Sequence, residues 1–248
     1  MRYKAIFIDI DDTILDYIPC CREAFEHALE ALRNDELQTP NDASKVLNDE
    51  EWFQIFFSIS GRLFSEAKHG LHTIAEVMDL YPREFVGRWN ELTQGGEGDL
   101  TEQTDTFKYA FRSAWGKTHT LVPGARETLE ALHAKGYRLF AASNSFAHLQ
   151  RSRLELAGVL PLFEDTFISI DIGYDKPDVR FYEEALRRCG LPPQSVLMVG
   201  DSMTTDILGA RAAGLDAVFF DRRHEGVKQE DMQGSRVITS LPELLALL

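Results

Sequence analysis

DIDDT (residues 9–13), directly after the apolar run AIFI (residues 5–8), decides how this chain is read. The run is short, apolar and rich in β-branched isoleucine, the pattern of a buried strand. Asp9 and Asp11 stand two residues apart where that strand should end. In an extended backbone side chains at i and i+2 point the same way, so both carboxylates can address one spot. Two like charges brought together are unfavourable unless something neutralises or uses them. A solvated acidic turn with an N-cap accounts for the same five residues. The choice rests on what stands elsewhere in the chain.

The 248 residues leave room for one large domain or for a core with a smaller second unit. A net charge of −14 excludes a general nucleic-acid binder, because phosphate backbones need cationic surfaces. An anionic substrate would need local help from a metal ion or a well-placed lysine. Cys20 and Cys21 are adjacent and Cys189 is remote, which is neither a disulfide framework nor a zinc spacing. Small buried side chains in a reducing setting are the expectation for all three. The first residues run straight into a strand without a basic-then-apolar leader, and no apolar run approaches the roughly 20 residues that span a bilayer. The expectation is a soluble cytoplasmic protein with no nucleic-acid and no membrane partner; the oligomeric state stays open.

From about residue 16 to 119 the periodicity is helical throughout. Apolar faces at Ala24, Phe25, Ala28, Leu29 and Leu32, at Trp52, Ile55, Phe56, Ile59 and Leu63, at Phe85, Val86, Trp89 and Leu92, and at Phe107, Ala110, Phe111, Ala114 and Trp115 mark four helices. These aromatic stripes read as core packing. Turn-rich breaks fall at 34–42 and at 95–99 (GGEGD). The second follows a helical pattern and lacks the spacing of a phosphate loop. From Leu121 helices and strands alternate. Strands are expected at 138–142, 167–170 (a weaker candidate), 196–199, 217–220 and near Val237. Helices are expected after Pro123, over 147–157, from the DKP at 175–177 to Cys189, over 205–213 and over 242–248. Such alternation implies an α/β, Rossmann-like parallel sheet with helices on both faces. The helical stretch is then an insertion after the first strand, which divides the chain into a core of residues 1–16 and 120–248 and an all-helical cap of residues 17–119.

In a sheet of this kind the ligand site lies beyond the carboxyl ends of the strands. Asp9 and Asp11 follow the first strand, Ser143 and Asn144 the second, and Asp201 the apolar VLMV, with Asp206 as the next helix begins; Lys176 opens its own helix. Taken singly, Ser143 is an N-cap, Lys176 a surface lysine and Asp206 an acid complementing a helix dipole. Taken together, three or four carboxylates at one sheet edge would repel strongly. A hard cation with oxygen ligands resolves that repulsion, and Mg²⁺ is the usual one where phosphate is present.

These residues resemble the four motifs of the haloacid-dehalogenase-like (HAD) superfamily. They are DIDDT, Ser143 at a strand end, Lys176 before Pro177 and Asp178, and GDSMTTD over 200–206, in family order. The insertion after the first motif matches the helical-cap subclass, and softer features such as LVPGARETLEALHAKG are similar to phosphatases of pyrimidine 5′-nucleotides. The resemblance implies an Mg²⁺-dependent phosphatase acting on a small phosphate monoester, 5′-nucleotides among the candidates, through an aspartyl-phosphate. It implies Asp9 as nucleophile, Asp11 as acid and base, and Ser143, Asn144 and Lys176 around the phosphate. It also implies Asp9, the Asp11 main-chain carbonyl, Asp201 and Asp206 around the metal. Within the superfamily a haloacid dehalogenase would need neither metal nor an acid at position 11, and a sugar-phosphate mutase is the remaining enzyme alternative. A phospho-accepting signalling module, of a different class, would be far shorter and would not use Asp11 as a proton donor. Asp12 is expected to face away from the site. In the cap Arg62, Lys68, His69 and His72 are polar candidates for substrate selection, and ordinary exposed helix positions account for them equally.

Overall fold

The computed structural model describes residues 2–35, 47–96, 98–223 and 235–248. The expected break at 34–42 lies largely outside these residues, as does Glu97 of the second break. By backbone contacts the chain divides into two compact units, Met1–Ile18 with His119–Leu248, and Pro19–Thr118.

Among the described residues the first unit is built on six parallel strands: β1 (Ala5–Ile8), β2 (Arg138–Ser143), β3 (Asp165–Ile168), β4 (Val196–Gly200), β5 (Asp216–Phe220) and β6 (Arg236–Ile238), in the order β3-β2-β1-β4-β5-β6. The chain fills one side of β1 and then the other. The crevice of a doubly wound sheet opens at such a reversal, beyond the carboxyl ends of the strands on either side. The strands are apolar almost without break because helices cover both faces. Alternation still assigns each side chain a face. Ile6, Ile8, Leu139, Ala141, Leu197 and Val199 pack into one core with α5 (Ala125–Ala134), α6 (Ala147–Leu156) and the C-terminal α10 (Leu244–Leu247). Ala5, Phe7, Phe140, Ala142, Phe167 and Met198 pack into the other with α8 (Val179–Cys189) and α9 (Gly209–Ala212).

Three elements differ from the sequence expectation. The weaker strand ends at Ile168, opposite Ser143, the last residue of β2. Ser169 has no ladder partner there, and the chain turns into the short helix α7 (Ser169–Ile172). The helix expected from 175 begins only at Val179. Pro177 disfavours helical backbone at Lys176, and the Asp178 carboxylate caps the helix by accepting from Arg180 N at 2.9 Å. The helix expected over 205–213 opens instead as a π-helical turn (Met203–Leu208) before α9.

The second unit holds α1 from Pro19 onward (α1, Tyr17–Asp35), α2 (Asp49–Lys68), α3 (Ile74–Gln94) and α4 (Thr101–Trp115). Asn48 with Glu51 and Thr73 with Glu76 form reciprocal capping boxes that start α2 and α3. The aromatic stripes meet in one core, with ring centroids of Trp52 and Trp89 4.5 Å apart and those of Phe85 and Phe107 4.7 Å apart. Phe25 is fully buried among Phe53, Phe56, Phe85 and Phe107. Among the described residues no helix is long and apolar enough to cross a membrane.

All three tryptophans, Trp52, Trp89 and Trp115, belong to the helical unit, so their fluorescence reports on it alone. Phe25→Ala is predicted to destabilise that unit by ~3–5 kcal/mol in urea titrations followed by tryptophan emission. Leu71→Ala, at a residue 68% exposed, is predicted to change it by no more than about 0.5 kcal/mol. Equal effects would show that the aromatic cluster is not the core of this unit.

Candidate active site

Asp9, Ser143 and Asp201 sit where strands of the first unit stop. Asp9 follows β1, and its N–H donates to Val199 O of β4 at 2.9 Å, which carries the strand pairing one residue past the sheet. Ser143 ends β2, and Asp201 follows Gly200 at the end of β4. Lys176 lies in the loop after α7. The amide of Asn144 holds that loop by its backbone: Lys176 N donates to Asn144 Oδ1 and Asn144 Nδ2 donates to Lys176 O, both at 2.8 Å. The structure thus uses the Asn144 side chain to place Lys176.

Lys176 reaches back under the strand ends. Its ammonium donates to Asp9 Oδ1 at 2.7 Å, Asp206 Oδ1 at 2.6 Å and Ala142 O at 2.8 Å, so all three donors are used. The group is 3% exposed. Burial works against its charge, but attraction to Asp206 and Asp9 outweighs it and lifts the lysine pKa above its ordinary value. Asp206 is positioned by the π-helical turn. Its other oxygen accepts from Ser202 N at 3.0 Å, while Ser202 Oγ accepts from Thr205 N at 3.3 Å. Single π turns of this kind occur most often at functional sites.

Carboxylate oxygens of Asp9, Asp201 and Asp206 all lie within 4.8 Å of one another. Burial pushes the Asp9 carboxyl up to about 7; the charge of Lys176 opposes this, and Asp206 and Asp11 add to it. Lys176 pairs with Asp9 and Asp206, and the charge of Arg223 is felt at Asp201. Three carboxylates with oxygens this close form an all-oxygen donor set that fits a hard divalent cation. The residues present therefore suit Mg²⁺, with Asp9, Asp201 and Asp206 as side-chain ligands.

Asp11 is placed differently. Its carboxylate turns toward α6, where Oδ1 accepts from an Arg153 guanidinium nitrogen at 2.7 Å and Oδ2 from Gln150 Nε2 at 2.6 Å. The same Gln150 nitrogen lies 3.1 Å from Ser143 Oγ, and Gln150 Oε1 accepts from Arg153 at 2.8 Å. Sequence reasoning missed Gln150 and Arg153. The available signal was two polar residues one turn apart on the helix face that carries Ala147 and Leu154, both of which are buried.

Asp12 adopts a left-handed backbone, φ +61°, and accepts from Tyr17 N at 3.2 Å and from Arg223 at 2.6 Å. Its carboxylate thus secures the turn after β1. In the helical unit, Arg62 pairs with Glu66 and Glu84 and His69 Nδ1 lies 2.7 Å from Ser65 O. His72 approaches Glu66 at 3.4 Å and Lys68 is exposed in the last turn of α2.

Comparison with known proteins agrees with this geometry. The family model described as haloacid dehalogenase-like hydrolase matches residues 3–214. A glyceraldehyde 3-phosphate phosphatase of Methanothermobacter thermautotrophicus is 32% identical over 218 residues, 87% of this chain and 84% of that protein. The pyrimidine 5′-nucleotidase PynA of Streptococcus pneumoniae is 28% identical over 225 residues, 90% and 86% of the two chains. Among solved structures, the HAD-hydrolase YfnB of Bacillus subtilis, crystallised with magnesium, superposes with a TM-score of 0.80 at 26% identity, covering 100% of this chain and 99% of that one.

Gly200 tests the acid cluster directly. A Cβ there would overlap the Asp206 carboxylate, closer than atoms approach. Gly200→Ala is therefore predicted to displace the Asp206 carboxylate and weaken Mg²⁺ binding about tenfold or more by calorimetry, with the circular dichroism of the fold retained. Unchanged affinity would remove Asp206 from the cation site.

Proposed function

This chain belongs to the haloacid dehalogenase-like hydrolases, and from that premise we propose that it hydrolyses a small phosphate monoester through an aspartyl-phosphate on Asp9. One observation carries the reading. A nucleophile-competent carboxylate, Asp9, is held by a buried lysine at the crevice, while a second carboxylate, Asp11, is tied through Gln150 to Ser143. A dehalogenase would have no use for that second acid.

In the first half-reaction a carboxylate oxygen of Asp9 attacks phosphorus. The bond to the ester oxygen breaks, and that oxygen leaves with the electron pair and takes a proton from Asp11. In the second half a water attacks the phosphoryl group and gives a proton to Asp11. The phosphorus–Asp9 bond breaks, inorganic phosphate leaves, and both acids return to their starting state. Lys176 offsets negative charge as phosphate approaches Asp9, and Ser143 Oγ is available to a non-bridging oxygen. Asn144 contributes by holding Lys176 in place. Mg²⁺, held by Asp9, Asp201, Asp206 and the Asp11 main-chain carbonyl, supplies charge neutralisation to the transferring group when bound. These terms are what monoester hydrolysis demands, being among the slowest uncatalysed reactions with accelerations up to about 10²¹-fold.

The substrates named for the two relatives, a pyrimidine 5′-nucleotide and glyceraldehyde 3-phosphate, are both phosphate esters of primary alcohols. The proposed substrate class is the same. Three free, buried cysteines suit a cytoplasmic site of action.

Phosphate release from a panel of 5′-nucleotides and sugar phosphates is predicted to require Mg²⁺, to stop with EDTA and to return on adding the metal. Asp9→Asn is predicted to fall below about one thousandth of the native rate, as when a nucleophile is removed, while remaining folded. Metal-independent turnover, or activity retained by Asp9→Asn, would overturn the mechanism.

A further inference from the structure

We infer that Arg153 and Gln150 are positioning residues of the reaction, a two-point clasp that fixes the Asp11 carboxylate in register with Ser143; the inference rests on the phosphatase reading of the same site. Arg153 and Gln150 both have no solvent exposure, and they lie one turn apart on α6. Burying a guanidinium there is costly unless it is paired, and an apolar side chain of similar length would serve packing as well or better. What it does hold is Asp11 Oδ1, at 2.7 Å, together with Gln150 Oε1 at 2.8 Å. Gln150 is thereby locked in orientation, with its Nε2 shared between Asp11 Oδ2 and Ser143 Oγ.

The geometry has a chemical consequence. A carboxylate offers about four lone-pair sites, and the clasp takes one on each oxygen. The Asp11 side chain remains 26% exposed while that of Arg153 is fully covered, so Asp11 is held from behind and open in front. Ser143 addresses the phosphoryl oxygens in the proposed mechanism, and Asp11 must reach the ester oxygen and then the attacking water on the same phosphorus. A single amide nitrogen touching both groups sets their separation. Neither Arg153 nor Gln150 touches the reacting atoms; both act through Asp11.

p-Nitrophenyl phosphate separates this role from a structural one. Its leaving group departs without a proton, so transfer to Asp9 does not need Asp11, whereas breakdown of the aspartyl-phosphate still needs Asp11 to receive the proton of water. In stopped-flow work on the full chain with Mg²⁺, Arg153→Met and Gln150→Met are each expected to keep the burst of nitrophenolate within about threefold of native. Steady-state turnover should fall by about 10- to 100-fold, the scale of a misplaced catalytic group. Peptide mass spectrometry of the acid-quenched variants should then show the phosphoryl group accumulating on the peptide that carries Asp9. Arg153→Lys should recover part of the loss, and Arg153→Met should add nothing in an Asp11→Asn background. Burst and turnover falling together in folded variants, or neither falling, would overturn the assignment. Should Arg153→Met not fold, Gln150→Met, which removes no charge, decides the question by the same two readouts. A native protein with no Mg²⁺-dependent turnover and no phosphorylated Asp9 would instead sink the phosphatase reading. Active wild type with unaffected variants sinks only the clasp.

Discussion

A lysine ammonium withdrawn from water beneath the strand ends sets the terms for the rest of this structure. An unpaired buried charge costs on the order of several kcal/mol even after relaxation. Lys176 avoids that only because Asp9, Asp206 and Ala142 O supply an acceptor for each of its three hydrogens. Those acceptors come from the loop after β1, the π-helical turn after β4 and the last residues of β2. The lysine itself comes from a fourth segment, fastened by Asn144. Four stretches distant in sequence are therefore bound to one nitrogen. The close approaches that allow this leave no room for side chains at two glycines. Gly200 passes the Asp206 carboxylate, and a Cβ on Gly209 would meet Pro177 Cα at 2.9 Å.

The same lysine leaves the site deliberately incomplete. It satisfies the hydrogen-bonding needs of its neighbours but supplies a single positive charge to Asp9 and Asp206, with Asp201 close by. The Asp9 carboxyl consequently stays far above the usual carboxylate range, with burial as the largest cause. Such a cluster is stable enough to fold yet remains attractive to a cation. Asp11 adds its charge to that of the cluster but is itself paired elsewhere. Its ion-pair partner is Arg153 on α6, whereas that of Asp9 is Lys176, so the two acids answer to different cations.

Much of this was legible in the chain because it depends on local patterns. Short apolar runs ending in Asp, Ser or Gly-Asp announce strands, and parallel topology brings their ends to one edge. Other features escaped because their causes are not local. The extent of β3 is set by where β2 stops, at Ser143 opposite Ile168. The π-helical turn over 203–208 is shaped around Ser202 and Asp206, and a 3.6-residue period cannot announce it. Asp12 was expected to face away by strand alternation. Its observed placement is set instead by a left-handed turn and a bond to Arg223, 211 residues downstream. Gln150 and Arg153 drew no reading from the sequence, because their polar groups are buried against Asp11 and no spacing rule links residues 139 and 142 apart.

The described chemistry also says where selectivity cannot come from. In the proposed reaction Asp9, Lys176, Ser143 and the acid cluster would address the phosphoryl group and Asp11 the bridging oxygen, parts common to every alkyl phosphate. A nucleotide and a triose phosphate present the same atoms to such a set, which accounts for relatives of similar identity being named for such different substrates. Discrimination must then use atoms beyond the ester oxygen, and it must be supplied by side chains outside this set. Among the polar positions of the helical unit, Arg62 is committed to Glu66 and Glu84 on neighbouring turns and helices. An arginine so engaged would have to break two charged contacts before it could greet a substrate. On the proposed mechanism, specificity therefore falls to side chains other than those that handle the phosphate ester, and Arg62 is already committed to carboxylates of its own unit.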